Sequence, residues 1–299
     1  MLTGVRIVVL GGDARQLEVI QKCAELDATV SVVGFDQLEQ VIPGIEHREL
    51  KDEVFASADV LVLPVVSCDD QGKVSSSFSV EPIVLKKEHM AALPEHCTVF
   101  TGMAKPFLRE LCEENGLRLV EVLDRDDIAL YNSIPTAEGA IAIAIKETDF
   151  TIHGSECIVL GIGRTGFTLA KTLQGLGANV RVGIRRNEDV ARATIMGWKP
   201  FMTTDLAAQT GEVDLLFNTI PTMIITAQIL SRMPQKAVII DLASAPGGCD
   251  FRYADKRGIK ALLAPGLPGI VAPRTAGGII ADALIRLLLE EQNAREVKS

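Results

Sequence analysis

Three glycines at fixed spacing form the group of residues whose chemistry is most readable in this chain. They belong to the segment Gly161-Ile162-Gly163-Arg164-Thr165-Gly166, which has the pattern Gly-x-Gly-x-x-Gly. In this pattern the first glycine permits a tight turn, the second lets a phosphate approach the backbone, and the third lets a helix pack closely on a strand. A helix that begins here offers unpaired N–H groups and a partial positive charge to a diphosphate. The segment therefore predicts a dinucleotide-binding loop.

The flanking sequence supplies the elements that such a loop needs. The apolar run 157–160 is typical of a buried strand, and apolar residues recur at helical spacing from Phe167 to Leu176. Gly177 then provides a helix stop. A strand, a glycine turn and a helix in this order indicate a Rossmann dinucleotide-binding domain.

Basic residues follow the next predicted strand. In NAD-binding domains an acidic residue about 20 residues past the glycines usually binds the ribose 2′-OH. This chain has Arg185-Arg186-Asn187 at that place. A carboxylate would repel a 2′-phosphate, whereas guanidinium groups pair with it through two parallel hydrogen bonds. The sequence therefore predicts NADP(H) rather than NAD(H), and the alternative is that the two arginines are solvated surface charge.

Two further loops are expected to contact the cofactor, because each follows a predicted strand of the same sheet. Asn218-Thr219-Ile220-Pro221 stands where amide groups typically touch the nicotinamide ribose. Leu242-Ala243-Ser244 follows the next strand, where a loop forms a wall of the nicotinamide pocket.

Composition limits the class of protein. The chain has 299 residues, of which 47% are hydrophobic, and this suits two domains with buried cores. Its formal net charge of −9 argues against nucleic acid and anionic membranes as partners. No apolar run reaches the roughly 18–20 residues of a membrane span, and residues 1–10 lack the features of a signal peptide. We therefore expect a cytoplasmic protein.

Cysteine and histidine positions give no sign of a metal centre. The six cysteines are scattered without a Cys-x-x-Cys pair, so we expect small core residues in a reducing compartment. The four histidines, at 47, 89, 96 and 153, lie outside the glycine-rich domain proper, which argues against the common hydroxyacid dehydrogenases. The sequence therefore predicts neither a disulfide nor a bound metal.

Alternating strand and helix patterns in the first half of the chain indicate a second parallel α/β unit. The predicted layout is a substrate or partner domain over 1–134, a connecting helix over 135–150, the Rossmann domain over 151–274, and a helix over 275–299 that returns to the first domain. We expect two doubly wound domains, with the active cleft between them at the carboxyl ends of the strands.

Two segments of the first half are predicted to be irregular. Gly11-Gly12-Asp13 follows the first strand, but no third glycine arrives in register, so we expect a ligand-facing turn and not a second dinucleotide site. Residues 67–79 are rich in Asp, Gly and Ser and are expected to form a mobile surface loop.

Longer stretches of the chain resemble the A subunits of bacterial dipicolinate synthase. These stretches are 11–16, 125–136, 151–155, 241–244 and 263–277, the last of which reads LAPGLPGIVAPRTAG. The resemblance runs from Met1 to the C-terminal helix. It implies an NADP-binding subunit that, together with a flavoprotein-like B subunit, converts a dihydrodipicolinate-type intermediate of the lysine pathway to dipicolinate. It also implies a location in the mother cell of a sporulating bacterium. We further expect the chain to form a homo-oligomer.

Such a reaction removes a hydride and a proton from a dihydropyridine dicarboxylate, and aromatisation drives it. The protein must then hold the ring against the cofactor and grip two carboxylates. Candidates for this grip are basic or hydroxyl side chains at predicted loop ends or at the start of the connecting helix: Arg15, Lys105, Ser133, Thr136 and Arg274. Surface ion pairs (Arg15 and Lys105) and helix capping (Ser133 and Thr136) are the alternatives.

The general base stays unassigned, with Lys105, Asp127 and His153 as candidates. Asp127 belongs to an acidic pair before the connecting helix and otherwise lies on a solvated turn. His153 precedes the strand of the glycine loop and otherwise has a structural hydrogen-bonding role.

Two other functions stay open at this stage. A shikimate-dehydrogenase-like NADP reductase would also suit the arginines after the second strand and the 218–221 loop. A non-catalytic NADP-binding subunit that scaffolds or regulates its partner is the other alternative.

Overall fold

Two six-stranded parallel sheets organise residues 1–296, the part of the chain that the computed structural model describes. The strands are β1 (Arg6–Leu10), β2 (Thr29–Val33), β3 (Ile45–Arg48), β4 (Val60–Val62), β5 (Lys73–Val74), β6 (Ile83–Val84), β7 (Thr98–Thr101), β8 (Arg118–Glu121), β9 (Glu156–Leu160), β10 (Asn179–Ile184), β11 (Lys199–Met202), β12 (Leu215–Asn218), β13 (Val238–Asp241) and β14 (Lys260–Leu263). The helices are α1 (Ala14–Glu25), α2 (Asp52–Ala56), α3 (Lys87–Ala91), α4 (Pro106–Glu114), α5 (Asp126–Glu147), α6 (Arg164–Gly175), α7 (Asn187–Ile195), α8 (Leu206–Gln209), α9 (Ala227–Leu230), α10 (Phe251–Arg257), α11 (Leu267–Val271) and α12 (Pro273–Glu296).

Both sheets have the same strand order. The first is β3-β2-β1-β4-β7-β8 and the second is β11-β10-β9-β12-β13-β14. Counted along the chain within each sheet, both are 3-2-1-4-5-6, the order of the dinucleotide-binding Rossmann fold. The interior strands of both sheets are mostly buried apolar runs, as parallel strands covered on both faces must be, whereas the edge strands β3, β8, β11 and β14 are more exposed. The prediction of two doubly wound domains, the second a Rossmann domain, is confirmed.

The chain divides into two compact units. The first contains Met1–Ala129 and the residues from Ala272 onward, and the second contains Leu130–Val271. Helix α12 therefore belongs to the first unit; the sequence predicted this helix over 275–299, of which 297–299 lie outside the described residues. It crosses α1 at Gly277, where a Cβ atom would lie 2.4 Å from the carbonyl oxygen of Arg15, so only glycine allows the close crossing.

The connecting helix begins earlier than predicted. The sequence placed it over 135–150 with Pro135 near its first turn, but α5 begins at Asp126 and holds Pro135 in its interior. The division between the units falls within this helix, after Ala129, and not at 134. The prediction was wrong because it treated Pro135 as a helix start, whereas the packing of α5 offsets the lost hydrogen bond and the ring clash of an interior proline.

Helix α5 is long and apolar enough to cross a membrane by length and composition, and it is the one such helix in residues 1–296. Its small apolar residues Ala137, Ala140 and Ala144 are buried in the core of the second unit. We therefore interpret α5 as a core helix. Glu138 divides its apolar sequence, so the helix contains no uninterrupted apolar run of membrane-spanning length.

Residues 67–79 do not form a mobile surface loop. Val74 is buried, and β5 pairs antiparallel with β6 in a hairpin. The hairpin lies on the turn after β1: Gly12 N–H donates to the carbonyl of Ser75 at 2.8 Å, and Ser77 N–H donates to the carbonyl of Gly12 at 2.8 Å. The prediction was wrong because the short apolar anchor Val74 is hidden among polar residues.

The turn Gly11-Gly12-Asp13 is consequently covered by protein and is not the ligand-facing turn that the sequence predicted. A Cβ atom at Gly11 would lie 2.8 Å from the carbonyl oxygen of Ser75, so the hairpin backbone packs directly against this turn and leaves no space for a ligand. The first unit thus has the strand order of a dinucleotide fold, while its own hairpin fills the place of the diphosphate.

The six cysteines are buried and unbridged, as predicted. Burial raises the pKa of the Cys23 and Cys249 thiols to about 12, so these groups stay protonated at neutral pH. They act as small core residues.

Candidate nucleotide-binding site

The glycine segment forms the predicted turn between β9 and α6. Gly161 has a φ of +86°, which favours glycine, and Gly163 occupies the N-cap position directly before α6. A Cβ atom at Gly166 would lie 2.0 Å from the carbonyl oxygen of Gly161, so only glycine lets the helix approach the strand. A Cβ atom at Gly163 would meet no other atom within 4 Å, so this position borders open space.

The amino terminus of α6 is available to an anion. Gly163 has no side chain with which to cap the helix, and no side-chain cap hydrogen bond is formed. The N–H groups of the first turn, which includes Arg164 and Thr165, therefore keep their electrostatic attraction for negative charge. This is the arrangement that binds diphosphates in Rossmann domains.

A cavity of about 410 Å³ opens at the carboxyl ends of β9, β10 and β12. Its lining comes from the loops that follow these strands, from the end of β10 and from the start of α7: Gly161, Ile162, Gly163, Gly183, Ile184, Arg185, Arg186, Asp189, Thr219, Ile220 and Pro221. The strand order reverses at this point of the sheet, between β9 and its neighbours β10 and β12, and nucleotides bind at such reversals. The structure thus brings predicted residues of three separate segments around one cavity.

Other predicted cofactor residues do not line this cavity. Asn218 is fully buried behind the loop that it precedes, and Asn187 is the first residue of α7. Leu242 and Ala243 follow β13, and Ala243 is buried. The sequence located their loops but not the direction of their side chains.

The two arginines after β10 are not equivalent. Arg186 Nη1 lies 2.8 Å from Glu188 Oε1, and its Nε donates to Asp189 Oδ2 at 3.1 Å. The hydrogen bond with Asp189 raises the pKa of Arg186. Arg185 is exposed and has no hydrogen bond or ion pair within residues 1–296. Its guanidinium is therefore the one available to a ligand.

Asp189 is a lining residue that the sequence analysis did not predict. It is buried, and Arg192 Nη1 lies 3.5 Å from its Oδ1, the oxygen that also accepts from Arg186 Nη2 at 3.4 Å. The signal was present in the spacing, because Arg186, Asp189 and Arg192 stand three residues apart at the start of a helix, where side chains at this spacing are neighbours.

His153 does not fit the role of general base at this cavity. It precedes the amino end of β9, whereas the glycine loop follows the carboxyl end of the same strand. Its ring covers Gly177, where a Cβ atom would lie 2.2 Å from His153 Nδ1. The ring of this histidine therefore packs against the turn at Gly177, and the predicted hydrogen-bonding role stays a prediction.

Asp127 is a poor base near neutral pH. The sequence placed it before the connecting helix, but the structure places it in the first turn of α5. Hydrogen bonds from Arg286 and then from Arg125 lower the pKa of this carboxyl to about 2. A carboxylate held this way stays ionised and serves as an ion-pair partner.

We expect Asp127→Asn to lower stability at neutral pH and to leave nucleotide binding unchanged. The folded pKa, about 2, lies below the ordinary value of 3.8, so the ion pair stabilises the folded state above pH 3.8, and this contribution disappears as the pH falls through 2. Urea unfolding between pH 7 and pH 2 should show the difference from wild type shrinking with acid. Asp149→Asn, at an exposed position, serves as the control, and a pH-independent difference would contradict the ion-pair role.

Ser133 and Thr136 are not at a helix start. Both lie inside α5, where Ser133 Oγ donates to the carbonyl of Leu130 at 2.6 Å and Thr136 Oγ1 donates to that of Asn132 at 2.8 Å. Ser133 Oγ also lies 2.6 Å from Thr168 Oγ1 on α6. Their predicted availability to a carboxylate was wrong because the helix begins earlier and its carbonyls occupy both hydroxyls.

The basic candidates for substrate binding differ in whether their side chains are already paired with a carboxylate. Arg15 Nη2 lies 2.6 Å from Asp13 Oδ2, so its guanidinium is already paired. Arg274 is 91% exposed, and its Nε is 3.6 Å from Glu18 Oε1. Lys105 precedes α4, its side chain is exposed, and its N–H donates to Ser67 Oγ at 3.2 Å. Lys105 is therefore the most available of these cations, and Arg274 is largely exposed but has an ion pair with Glu18.

Arg274 lies in a helix and not at the end of a loop, where the sequence placed it. Of the Gly/Pro-rich stretch 263–277, residues Leu267–Val271 form α11, and α12 begins at Pro273. The loop prediction was wrong because proline is accepted at the first turn of a helix. Within residues 1–296, no group of three or more His, Cys, Asp or Glu side chains is arranged to hold a metal ion.

The fold and the site together define an NAD(P)-binding, dehydrogenase-like protein. Residues 136–298 match the family model described as alanine dehydrogenase/PNT, C-terminal domain. Residues 6–123 match the family model of the N-terminal domain of the dipicolinate synthase A subunit. The chain belongs to the family of dipicolinate synthase A subunits, as the resemblance in sequence had indicated.

Individual relatives agree over the full length. The chain is 51% identical over 292 residues to the dipicolinate synthase A subunit of Bacillus subtilis, with 98% of each chain covered. The crystal structure of the dipicolinate synthase A chain from Bacillus subtilis superimposes with a TM-score of 0.94 at 50% identity, covering 98% of this chain and 99% of the other. The crystal structure of the A subunit from Bacillus halodurans gives 0.93 at 49% identity, with 96% and 99% covered.

Proposed function

We propose that this chain is the NADP-dependent oxidoreductase subunit of a dipicolinate synthase. With a B subunit it converts a dihydrodipicolinate-type intermediate of the lysine pathway to dipicolinate. The observation that carries the proposal is the cavity over the glycine loop, with an available arginine on its rim, in a member of this family. The proposal extends to a homo-oligomer in the cytoplasm of the mother cell of a sporulating bacterium.

The residues present fit a dinucleotide. Gly163 leaves open space where a side chain would stand, and the first-turn N–H groups of α6 would bind the diphosphate there. Arg185 would bind the 2′-phosphate, and the 219–221 loop would contact the nicotinamide ribose. When bound, NADP⁺ supplies the hydride acceptor.

The chain's own side chains would bind and orient the substrate. Formation of the pyridine ring removes one hydride and one proton, and because aromatisation favours the product a strong base is not required. Two carboxylates must be held near the cofactor, and they need cations. Lys105 has an exposed side chain, and Arg274 is 91% exposed with a long ion pair to Glu18, so both are candidates for this task. Arg15 is more closely paired, with Asp13.

We expect Lys105→Ala and Arg274→Ala each to lower turnover by the reconstituted pair of subunits. The loss of one hydrogen bond to a charged group predicts a decrease of roughly 10- to 100-fold in kcat/KM for the dicarboxylate. The affinity for NADP⁺, measured by calorimetry, should not change. Arg252→Ala, at an exposed arginine of α10, is the matched control. Unchanged turnover in both variants would favour a scaffold or regulatory role.

The direct test of the function combines this chain, the lysine-pathway intermediate and the candidate B subunit. We expect pyridine absorbance to rise in the presence of NADP⁺ and to stay flat without it. Absorbance that rises equally without NADP⁺ would place the electron acceptor elsewhere. Reduction of a keto acid with NADPH by the isolated chain would instead favour the shikimate-dehydrogenase-like reductase.

A further inference from the structure

Two polar residues at the ends of neighbouring strands are completely buried. Asn218 ends β12 and Asp241 ends β13, and neither is exposed to solvent. Asn218 Nδ2 donates to Asp241 Oδ1 at 2.9 Å. The carboxylate also accepts the N–H of Ala243 at 3.1 Å and that of Gly248 at 2.6 Å. Three donors therefore compensate a charge that would otherwise be costly to bury.

Asn218 connects this carboxylate to the wall of the nucleotide cavity. Its Nδ2 donates to the carbonyl of Ile220 at 3.0 Å, and its Oδ1 accepts the N–H of Ile220 at 3.0 Å. Ile220 lines the cavity, and the adjoining Thr219 donates through Oγ1 to the carbonyl of Leu160 at 2.8 Å. Asp241 does not line the cavity. It is hydrogen-bonded to Asn218, which is in turn hydrogen-bonded to the lining residue Ile220.

Backbone hydrogen bonds join the loops that follow β12 and β13. The N–H groups of Ile224 and Ile225 donate to the carbonyl of Gly248 at 2.9 and 2.8 Å. In the opposite direction, the N–H of Asp250 donates to the carbonyl of Ile225 at 3.0 Å. The two loops are thus joined both by their backbones and through the buried side-chain pair.

Gly248 lies where the loops approach most closely. A Cβ atom there would lie 2.5 Å from the carbonyl oxygen of Thr222 and 2.6 Å from Asn218 Nδ2. No side chain fits between the loops. Segments 219–226 and 242–250 therefore form one body, which we call the loop platform.

We propose that Asp241 is a positioning residue for the nucleotide site. It acts through Asn218 to hold the loop platform in place, so its replacement weakens nucleotide binding by more than the loss of fold stability explains. This inference rests on the proposed nucleotide-binding function. An amide at this position would turn an NH₂ group toward a donor, because all three groups that face the carboxylate are donors.

Asp241→Asn tests the proposal. We expect it to raise the Kd for NADP⁺ about tenfold or more, the effect of a lost hydrogen bond to a charged group. Val238→Ala is the control, because it opens a core space at the other end of β13. This control should lower the thermal unfolding midpoint and leave the Kd unchanged. A lowered midpoint with wild-type Kd in Asp241→Asn would show that Asp241 only stabilises the fold.

Hydrogen exchange on the wild-type chain decides the matter if Asp241→Asn does not fold. The amides of Ile220 and Gly248 should exchange at similar rates, and added NADP⁺ should slow both, although only Ile220 lines the cavity. Protection confined to Ile220 would overturn the proposal. A wild-type chain that binds no dinucleotide would refute the proposed function and this inference with it, whereas binding with independent loops would refute this inference alone.

Discussion

Gly163→Asp is expected to abolish dinucleotide binding and to leave the fold as stable as in wild type, or more stable. The backbone at Gly163 has φ −68° and ψ −163°, which other residues adopt without strain, and a Cβ atom there meets nothing within 4 Å. Aspartate is a preferred helix cap and exceeds glycine there by a few tenths of a kcal/mol. The same carboxylate would occupy the N–H groups of α6 and repel the diphosphate.

Two measurements check this expectation. Calorimetry should show a Kd for NADP⁺ raised about 100-fold or more, because hydrogen bonds to a charged group are lost and a repulsion is added. Thermal unfolding should show a midpoint at or above that of wild type. Gly163→Ala, which adds bulk without charge, should bind more tightly than Gly163→Asp. An aspartate variant that binds like wild type would show that the diphosphate does not lie at this helix terminus.

Arg185→Ala is expected to remove the proposed preference for NADP⁺ over NAD⁺. Arg185 lies on the cavity rim, is exposed, and has no ion pair within residues 1–296, so its guanidinium is available for a 2′-phosphate. A charge-assisted contact of this kind predicts a loss of NADP⁺ affinity of roughly 10- to 100-fold. The affinity for NAD⁺, which lacks the phosphate, should not change. Calorimetric titration with both dinucleotides measures the ratio.

Arg186→Ala is the matched control for this prediction. Arg186 is paired with Glu188 and Asp189, and its removal would leave the buried Asp189 with Arg192 alone at 3.5 Å. We therefore expect a lowered unfolding midpoint with a smaller change in the NADP⁺/NAD⁺ ratio. A ratio that collapses in Arg186→Ala but persists in Arg185→Ala would contradict the assignment. Equal, weak binding of both dinucleotides by wild type would refute NADP specificity altogether.

Much of the fold was predictable from the sequence because local patterns encode it. The glycine spacing of 161–166 and the apolar runs beside it predicted a strand, a turn and a helix, since each depends on residues adjacent in the chain. Alternating strand and helix patterns predicted two parallel sheets, and the segments after β9, β10 and β12 contained most of the residues that line the cavity. These features need no knowledge of which distant residues meet.

The tertiary structure alone decided the features that depend on distant partners. The hairpin covers the turn at Gly12 because the N–H of Gly12 donates to the carbonyl of Ser75. Asp127 is a poor base because Arg286 donates a hydrogen bond to its carboxylate. The buried contact between Asn218 and Asp241 likewise joins the ends of two strands. In each case a backbone or charged group is satisfied by a residue far along the chain, and buried polar groups require such partners wherever the fold places them. Sequence spacing predicts which elements form, whereas the packing of those elements determines which of their polar groups are left available to a ligand.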